Sequence, residues 1–363
     1  MKRKIYGVIM AGGVGSRFWP RSREKSPKQL LKIVEGETMI QSTVSRIESL
    51  IPPEQIFVVT NKLQKNGVVK QLPNIPQENI IVEPLGRNTA PCIGLAALFA
   101  KRIDPTGVMV VLPADHIIHN VKEFHHVLKN GIEVAANSSA LITIGISPTR
   151  PETGYGYIQF DDENSSANPF YKKNAFRVKT FAEKPTIEIA NEFLRSGDFL
   201  WNSGMFIWRV DSILNEIQKS LPELYEQLLN IEESIGTSLF EKTLEEKYKI
   251  IRSISIDYGV MEKAKDVFVL AGKFGWNDVG SWEEVYQISP KNDDGNAITG
   301  NVISINSKNS YIYSQNKLIA AVGVENLIVI ETNDSILICS RDKAQDVKEV
   351  VNYLKQKEMN DFL

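Results

Sequence analysis

The stretch Ala11-Gly-Gly-Val-Gly-Ser-Arg17 directly follows the apolar run 5–10. Its glycines let backbone N–H groups approach a ligand more closely than any Cβ permits, and a phosphate is the natural occupant. It is not a dinucleotide fingerprint, because Phe18 stands where a third glycine belongs, and the Gly-x-x-x-x-Gly-Lys-Ser/Thr spacing of a Walker A loop is absent. Dense positive charge follows in Arg17, Arg21, Arg23, Lys25 and Lys28, interrupted by Pro20 and Pro27. Such a segment can wrap a triphosphate with several cations. Ser22-x-x-Lys25 formally matches a covalent-hydrolase motif, but its companion motifs are missing and a basic loop explains it better.

Two carboxylates complement this loop. Asp115, in Pro113-Ala-Asp-His116, ends the apolar run 108–112, and Asp278 lies in Trp276-Asn-Asp-Val-Gly-Ser-Trp282. Each alone is equally well read as a turn-former, but two hard oxygen ligands beside substrate phosphates are an ordinary Mg2+ arrangement. The four histidines, His116, His119, His125 and His126, fall within eleven residues. They do not make a zinc site, since no cysteine or second cluster completes four ligands and His125 and His126 point to different helix faces.

The elements that must position these groups alternate. Short β-rich runs at 5–10, 55–60, 108–112 and 140–146 are separated by helical periods at 39–50, 89–103 and 121–136. This pattern predicts an α/β fold with a doubly wound, mostly parallel sheet, Rossmann-like, whose strand ends carry the ligand loops. A polar, turn-rich stretch at 161–174 between strand-like runs 155–160 and 175–181 reads as a hairpin or lid, and 211–264 reads as largely helical. The segment 289–295 reads as a linker. It separates a catalytic domain, 1–290, from a small β-rich C-terminal domain, 296–363, in which 301–339 holds no helical period and 341–357 forms one amphipathic helix. No repeat of fixed period is present, which argues against a β-helix acyltransferase.

The motifs together resemble a known family. Gly12-Gly-x-Gly-x-Arg-Phe-x-Pro20 with Pro27-Lys28 is similar to the signature of the sugar nucleotidyltransferases, and Glu83-Pro-Leu-Gly-Arg-Asn-Thr-Ala-Pro91 resembles their guanylyltransferase branch. Leu112-Pro-Ala-Asp-His116, Phe181-Ala-Glu-Lys-Pro185, Trp201-Asn-Ser-Gly-Met-Phe206 and Asp257-Tyr-Gly-Val-Met-Glu262 continue the match in order. The resemblance implies transfer of GMP from GTP to mannose 1-phosphate, with Arg17 and Lys28 on the triphosphate and Asp115 and Asp278 on Mg2+. It places the nucleotide on Ala11, Gly12, Gly13, Gly15 and Ser16 and on Glu83, Gly86, Asn88 and Thr89. Guanine offers N1–H and amino donors, so an acceptor such as Glu83 beside backbone N–H groups near Gly86 suits it, although a turn into the helix at Thr89 explains any one of these residues equally well. The sugar phosphate falls to Gly154, Glu183, Lys184 and Asn202. In relatives the C-terminal domain resembles a short left-handed β-helix that serves packing and dimer contact, so a homodimer is expected. Some relatives carry a downstream isomerase that needs metal-binding histidines, and none follows His126 here, so the chain reads as monofunctional. The alternatives within the fold are another pair of substrates, such as glucose 1-phosphate with UTP, or a non-catalytic nucleotide-sugar sensor. A sensor would lose Arg17, Lys28, Asp115 or Asp278, and all four are present.

Composition bounds these readings. With 363 residues and 42% hydrophobic content a large core is available. Lys+Arg of 42 against Asp+Glu of 44 leaves a net charge of -2, which supplies no global field for nucleic acid or a membrane surface. Cys92 and Cys339, both in apolar surroundings, point to a reducing, cytoplasmic setting rather than a disulfide framework. The basic start and apolar run before Gly12 are too short for a secretory signal, and no stretch is long enough for a membrane span.

Overall fold

The computed structural model describes residues 3–34, 36–162 and 168–363. The strands are β1 (Ile5–Met10), β2 (Ile56–Asn61), β3 (Ile80–Glu83), β4 (Val108–Pro113), β5 (Ile117–Ile118), β6 (Leu141–Ile146), β7 (Gly156–Asp161), β8 (Ala175–Glu183), β9 (Phe199–Arg209), β10 (Val267–Gly272) and β11 (Trp276–Asn277). Nine of them form one sheet in the order β3-β2-β1-β4-β9-β6-β10-β8-β7. The first four are mutually parallel, β6 and β10 are parallel, and β9 and β8 run against their neighbours. The doubly wound α/β expectation holds, with two reversed strands inserted.

Alternation on β1 explains the layering. Ile9 packs into one core with α1 (Met39–Ser45), α2 (Lys65–Gln71) and α4 (Val121–Ala136), while Tyr6 and Val8 pack into the other with α3 (Thr89–Ile103). A strand presents alternate residues to opposite faces, so a sheet covered on both sides must be apolar throughout. The second layer continues through α6 (Val210–Ser220), α7 (Pro222–Ser234) and α8 (Phe240–Ile250), as the helical reading of 211–264 requires, and α5 (Ile187–Ser196) lies between β8 and β9. The helix read at 39–50 ends at Ser45 and continues in turns. β7 and β8 form the expected antiparallel hairpin; residues 163–167 of the stretch read as a hairpin or lid lie outside the described residues.

After α9 (Trp282–Ile288), the strands β12 (Ala297–Thr299), β13 (Val302–Ile305), β14 (Tyr311–Ser314), β15 (Ile319–Val322) and β16 (Leu327–Glu331) stack in parallel as β12-β14-β16 and β13-β15, and β17 (Ile336–Ser340) adds antiparallel to β16. Glu331, fully buried on β16, accepts three backbone N–H bonds from Gln315, Asn316 and Lys317, which closes one coil of the stack. The terminal helix is divided, with a 3-10 stretch, Arg341–Asp346, leading into α10 (Val347–Gln356).

The stretch read as a linker is an ordered turn. Gly295 N–H bonds Asn292 O, and Asn309 N–H bonds Asp294 O. A single apolar cluster joins Phe18, Trp19, Val279 and Trp282 to Tyr311, Ile328, Val347 and Leu354. The C-terminal coils are thus packed against the glycine loop and the Asp278 loop rather than tethered beside them. No helix of the described residues is long and apolar enough to cross a membrane.

Candidate active site

The glycine loop leaves the carboxyl end of β1 and is held from beneath. Gln29, buried, donates to the carbonyls of Ala11 (3.0 Å) and Gly13 (2.9 Å), Gln64 donates to Gly13 (3.2 Å), and Ser22 donates to the Gly15 carbonyl (2.6 Å). Its carbonyls are therefore turned into the protein. Gly15 has φ 70, and a Cβ there would stand 2.5 Å from Lys28 Cβ, so only glycine lets the loop close over that lysine. Ala11, almost fully buried, anchors the loop, while Gly12 and Gly13 line the cavity that follows.

Lys28 is only 4% exposed. Its ammonium donates to Asp115 Oδ2 (2.8 Å) and to the Asp278 carbonyl (2.6 Å), and so it brings the two proposed metal-binding residues together. Burial pushes the Asp115 carboxyl up, but the Lys28 ammonium, by its charge and its hydrogen bond, outweighs this and holds it below the usual range. The Asp278 carboxylate accepts from the Tyr155 hydroxyl, which also approaches Glu284 Oε1 at 3.4 Å. Burial and the Asp278 charge push the Glu284 carboxyl up to about 7, against the Gly280 N–H and Arg150. No group of three or more His, Cys, Asp or Glu among the described residues could hold a metal unaided. One carboxylate on the buried lysine, Asp115, and a second, Asp278, whose backbone carbonyl meets the same lysine and whose carboxylate is held by Tyr155, fit a cation whose other ligands are phosphate oxygens.

The remaining basic residues divide. Arg17 is exposed and its guanidinium donates to Gln345 Oε1 (3.0 Å). Arg23 bonds Asp334 (2.7 Å), Ser335 and the Phe362 carbonyl, and Arg21 lies over the Tyr313 ring at 4.3 Å. The expected wrap of cations around a triphosphate is thus reduced, because Arg21 and Arg23 serve the junction with the C-terminal coils. Sequence could not show this, as the partners lie some three hundred residues away.

A cavity of about 500 Å3 runs from the glycine loop across the strand ends. At one end Glu83, 4% exposed, accepts from the Tyr248 hydroxyl (3.0 Å), and burial pushes its carboxyl up to about 7 despite that bond. Gly86, Asn88 and Thr89 line the same end. Asn88, at φ 69, caps α3 by accepting from Thr89 N–H, and the Thr89 hydroxyl accepts from Ile256 N–H (2.8 Å). For these two residues the helix-start role is therefore present.

At the other end are Gly154, Glu183 and Asn202. A Cβ on Gly156 would collide with Glu183 Oε2, so that glycine makes room for the carboxylate. Lys184, at φ 48, donates to Glu183 Oε1 (2.7 Å) and does not line the cavity. Tyr155 and Trp276 form the wall between the ends, in edge contact at 5.4 Å. Trp276 Nε1 donates to His116 Nδ1 (3.1 Å), which fixes His116 as an acceptor there. Of the other three histidines, His125 lies on the Arg46 carbonyl and His126 on Asn130, and the His119 backbone N–H bonds the Phe274 carbonyl. Ser16 lies in the one-turn 3-10 segment after Gly15.

Sequence reasoning passed over Tyr155, Tyr248, Asp257 and Glu284. Asp257 had a signal, since it opens a quoted motif, whereas Glu284 reads as one more acid on the surface of a helix.

Residues 6–295 match the nucleotidyl transferase family, and residues 300–354 match the MannoseP isomerase/GMP-like beta-helix domain. Mannose-1-phosphate guanylyltransferases of Escherichia coli (39% identical) and Klebsiella pneumoniae (41%) align over 98% of this chain and over 76% and 75% of their own lengths. A solved structure described as mannose-1-phosphate geranyltransferase from Thermus thermophilus superposes with a TM-score of 0.87 at 33% identity, covering 97% of this chain and 99% of that one. The fold and site define a nucleotidyltransferase. The chain belongs to the nucleotidyl transferase family, among the relatives of the mannose-1-phosphate guanylyltransferases.

Proposed function

We infer that the protein transfers GMP from GTP to mannose 1-phosphate, giving GDP-mannose and pyrophosphate. The observation that carries this is the single cavity that joins the glycine loop, the Glu83 end and the Glu183/Asn202 end, with Asp278 on its wall. Two ligands that must react with one another need such a shared space, and holding them aligned supplies much of the rate. A phosphate oxygen of mannose 1-phosphate attacks the α-phosphorus of GTP, the bond from the α-phosphorus to the bridging oxygen breaks, and pyrophosphate departs in line. No protein nucleophile is needed, because phosphoryl chemistry depends on positioning and on charge neutralisation. In this reading Lys28, held beneath the glycine loop on Asp115, neutralises charge as it passes to pyrophosphate, and Arg17 joins it on leaving Gln345.

Asp115 and Asp278 would hold Mg2+, which when bound supplies positive charge to the phosphate oxygens. Glu83 accepts from the guanine N1–H and amino group, with Gly86, Asn88 and Thr89 around it; Glu183 and Asn202 meet the sugar hydroxyls beside Gly154. Lys184 reaches the sugar phosphate by exchanging Glu183 for it. The same reading takes the chain as a cytoplasmic homodimer that meets its partner through the C-terminal coils, where Ile303, Ile305 and Val322 are exposed; light scattering tests this. The decisive experiment is a pyrophosphate-release assay over a grid of nucleoside triphosphates and sugar 1-phosphates. Fastest turnover is expected for GTP with mannose 1-phosphate, and a preference for UTP with glucose 1-phosphate would overturn the reading.

A further inference from the structure

Asp257 opens a five-residue π-helical turn, Asp257–Met261, and lines the same cavity as Glu183 and Asn202. Such turns are rare and gather at functional sites. Here the turn brings a carboxylate against a sheet residue of fixed orientation. The Asn202 carbonyl oxygen accepts from the Thr143 hydroxyl (3.2 Å) and from Gly204 N–H (3.2 Å), which settles which end of the amide is which. One amide N–H then goes to Asp257 Oδ1 at 2.7 Å, and the second is left over. Among the described residues Asn202 is the only side-chain donor on the Asp257 carboxylate, which retains acceptor sites of its own. Burial pushes that carboxyl up to about 6, against the Asn202 bond, so keeping an acid here has a cost that packing does not explain.

A fixed N–H donor beside a carboxylate acceptor matches a hydroxyl group, which accepts one hydrogen bond and donates another. We propose that Asp257 and Asn202 together read one ring hydroxyl of the sugar 1-phosphate, the Asn202 N–H donating to its oxygen and the Asp257 carboxylate accepting its proton. The inference rests on the nucleotidyltransferase reading of the site, and it makes Asp257 a determinant of sugar choice. Three bonds further tie its segment to the nucleotide end of the cavity, namely Thr89 with Ile256, Ala90 with Ile254 and Ile254 with Arg87.

The test is a cycle between protein and substrate. Wild type, Asp257→Asn and Asn202→Ala are assayed with the preferred sugar 1-phosphate and with its derivatives each lacking one ring hydroxyl. A hydrogen bond to a charged group predicts that one deoxy sugar loses roughly 10- to 100-fold in kcat/KM with wild type. Asp257→Asn should lose a similar factor on the parent sugar and little more on that deoxy sugar, and Asn202→Ala should couple to the same hydroxyl. The nucleotide KM should hardly move. Equal further losses on every deoxy sugar, or a defect confined to the nucleotide KM, would overturn the proposal, because a purely structural role does not single out one hydroxyl. Asp257→Asn keeps the side-chain shape, and its melting temperature checks the fold. If wild type turns over a sugar phosphate other than mannose 1-phosphate, the function reading fails while this test proceeds on the sugar it does use.

Discussion

Glu83 offers a measurable conflict between stability and function. It is 4% exposed, and its carboxyl sits at about 7 in the folded chain against an ordinary 4.5, chiefly through burial. The folded protein therefore holds this proton more tightly than the unfolded chain does. Stability falls as the pH rises from about 4.5 to about 7, and the loss persists above that range. At about 1.4 kcal/mol for each pH unit, the interval comes to roughly 3 kcal/mol. An unfolding entropy of about 2.1 cal/mol/K per residue over 363 residues converts this to a melting shift of roughly 4 °C. Glu83→Gln matches the neutral carboxyl in shape and leaves the Tyr248 hydroxyl an acceptor. Part of the shift is already spent at pH 5, so the melting temperature of the variant relative to wild type should rise by about 3 °C between pH 5 and pH 8. Any repacking cost is the same at both ends, so the change in the difference is the readout, measured by calorimetry without nucleotide. A difference that does not change with pH, or one that moves against the variant, would refute the reasoning.

Three further outcomes follow from the site. Asp115→Asn and Asp278→Asn should each cripple turnover in limiting Mg2+, and full activity of either variant, or of wild type in excess chelator, would remove the metal assignment. Lys28→Ala and Arg17→Ala should raise the barrier by roughly 2 to 4 kcal/mol, as loss of a charge stabiliser does, measured as kcat at saturating substrates; an effect limited to the KM for mannose 1-phosphate would contradict the roles given. In competition GTP should exceed ITP, and ITP should exceed ATP, because ITP keeps N1–H without the amino group and ATP sets acceptor against acceptor; an unchanged order in Glu83→Gln would transfer base choice to the backbone near Gly86.

Local pattern made much of this molecule legible. β1, α3 and α4 have the bounds that periodicity predicts, since each is a continuous apolar run or a clear amphipathic period closed by its own caps, Asn88 for α3 and Asn120 for α4. The glycine loop was legible because its chemistry is local. Strand order was not, because β9 enters antiparallel between β4 and β6, and that pairing depends on contacts about a hundred residues from β4 that leave no periodic trace. The same limit hid Tyr155, which matters only because the fold carries it to Asp278 from 123 residues away, whereas Glu284 is only six residues beyond Asp278 and was hidden because it reads as one more acid on a helix surface. Distance along the chain also made Arg21 and Arg23 look available for phosphate.

The Asp278 loop indicates why the C-terminal coils are packed where they are. Val279 has φ 47, a conformation that a β-branched residue adopts only under constraint, at a cost on the order of 1 to 3 kcal/mol. A strained residue persists when its surroundings over-determine it. Val279 is fully buried in the cluster that holds Phe18 and Trp19 from the glycine loop, Trp282 from α9, and Ala344, Val347 and Val351 from the C-terminal end. Polar contacts run alongside, with the Trp282 indole N–H on the Trp19 carbonyl, the Trp19 indole N–H on the Phe362 carbonyl, and Arg341 on Glu283 by two bonds of 2.7 Å. The two loops that carry Arg17, Lys28 and Asp278 therefore share one apolar support, and part of that support comes from the C-terminal coils. Pre-organised charge is effective only while its geometry is held. Because the coils clamp both loops at once, the spacing between the lysine and the carboxylate is set by packing beneath the site, and the strain at Val279 is the sign of that constraint.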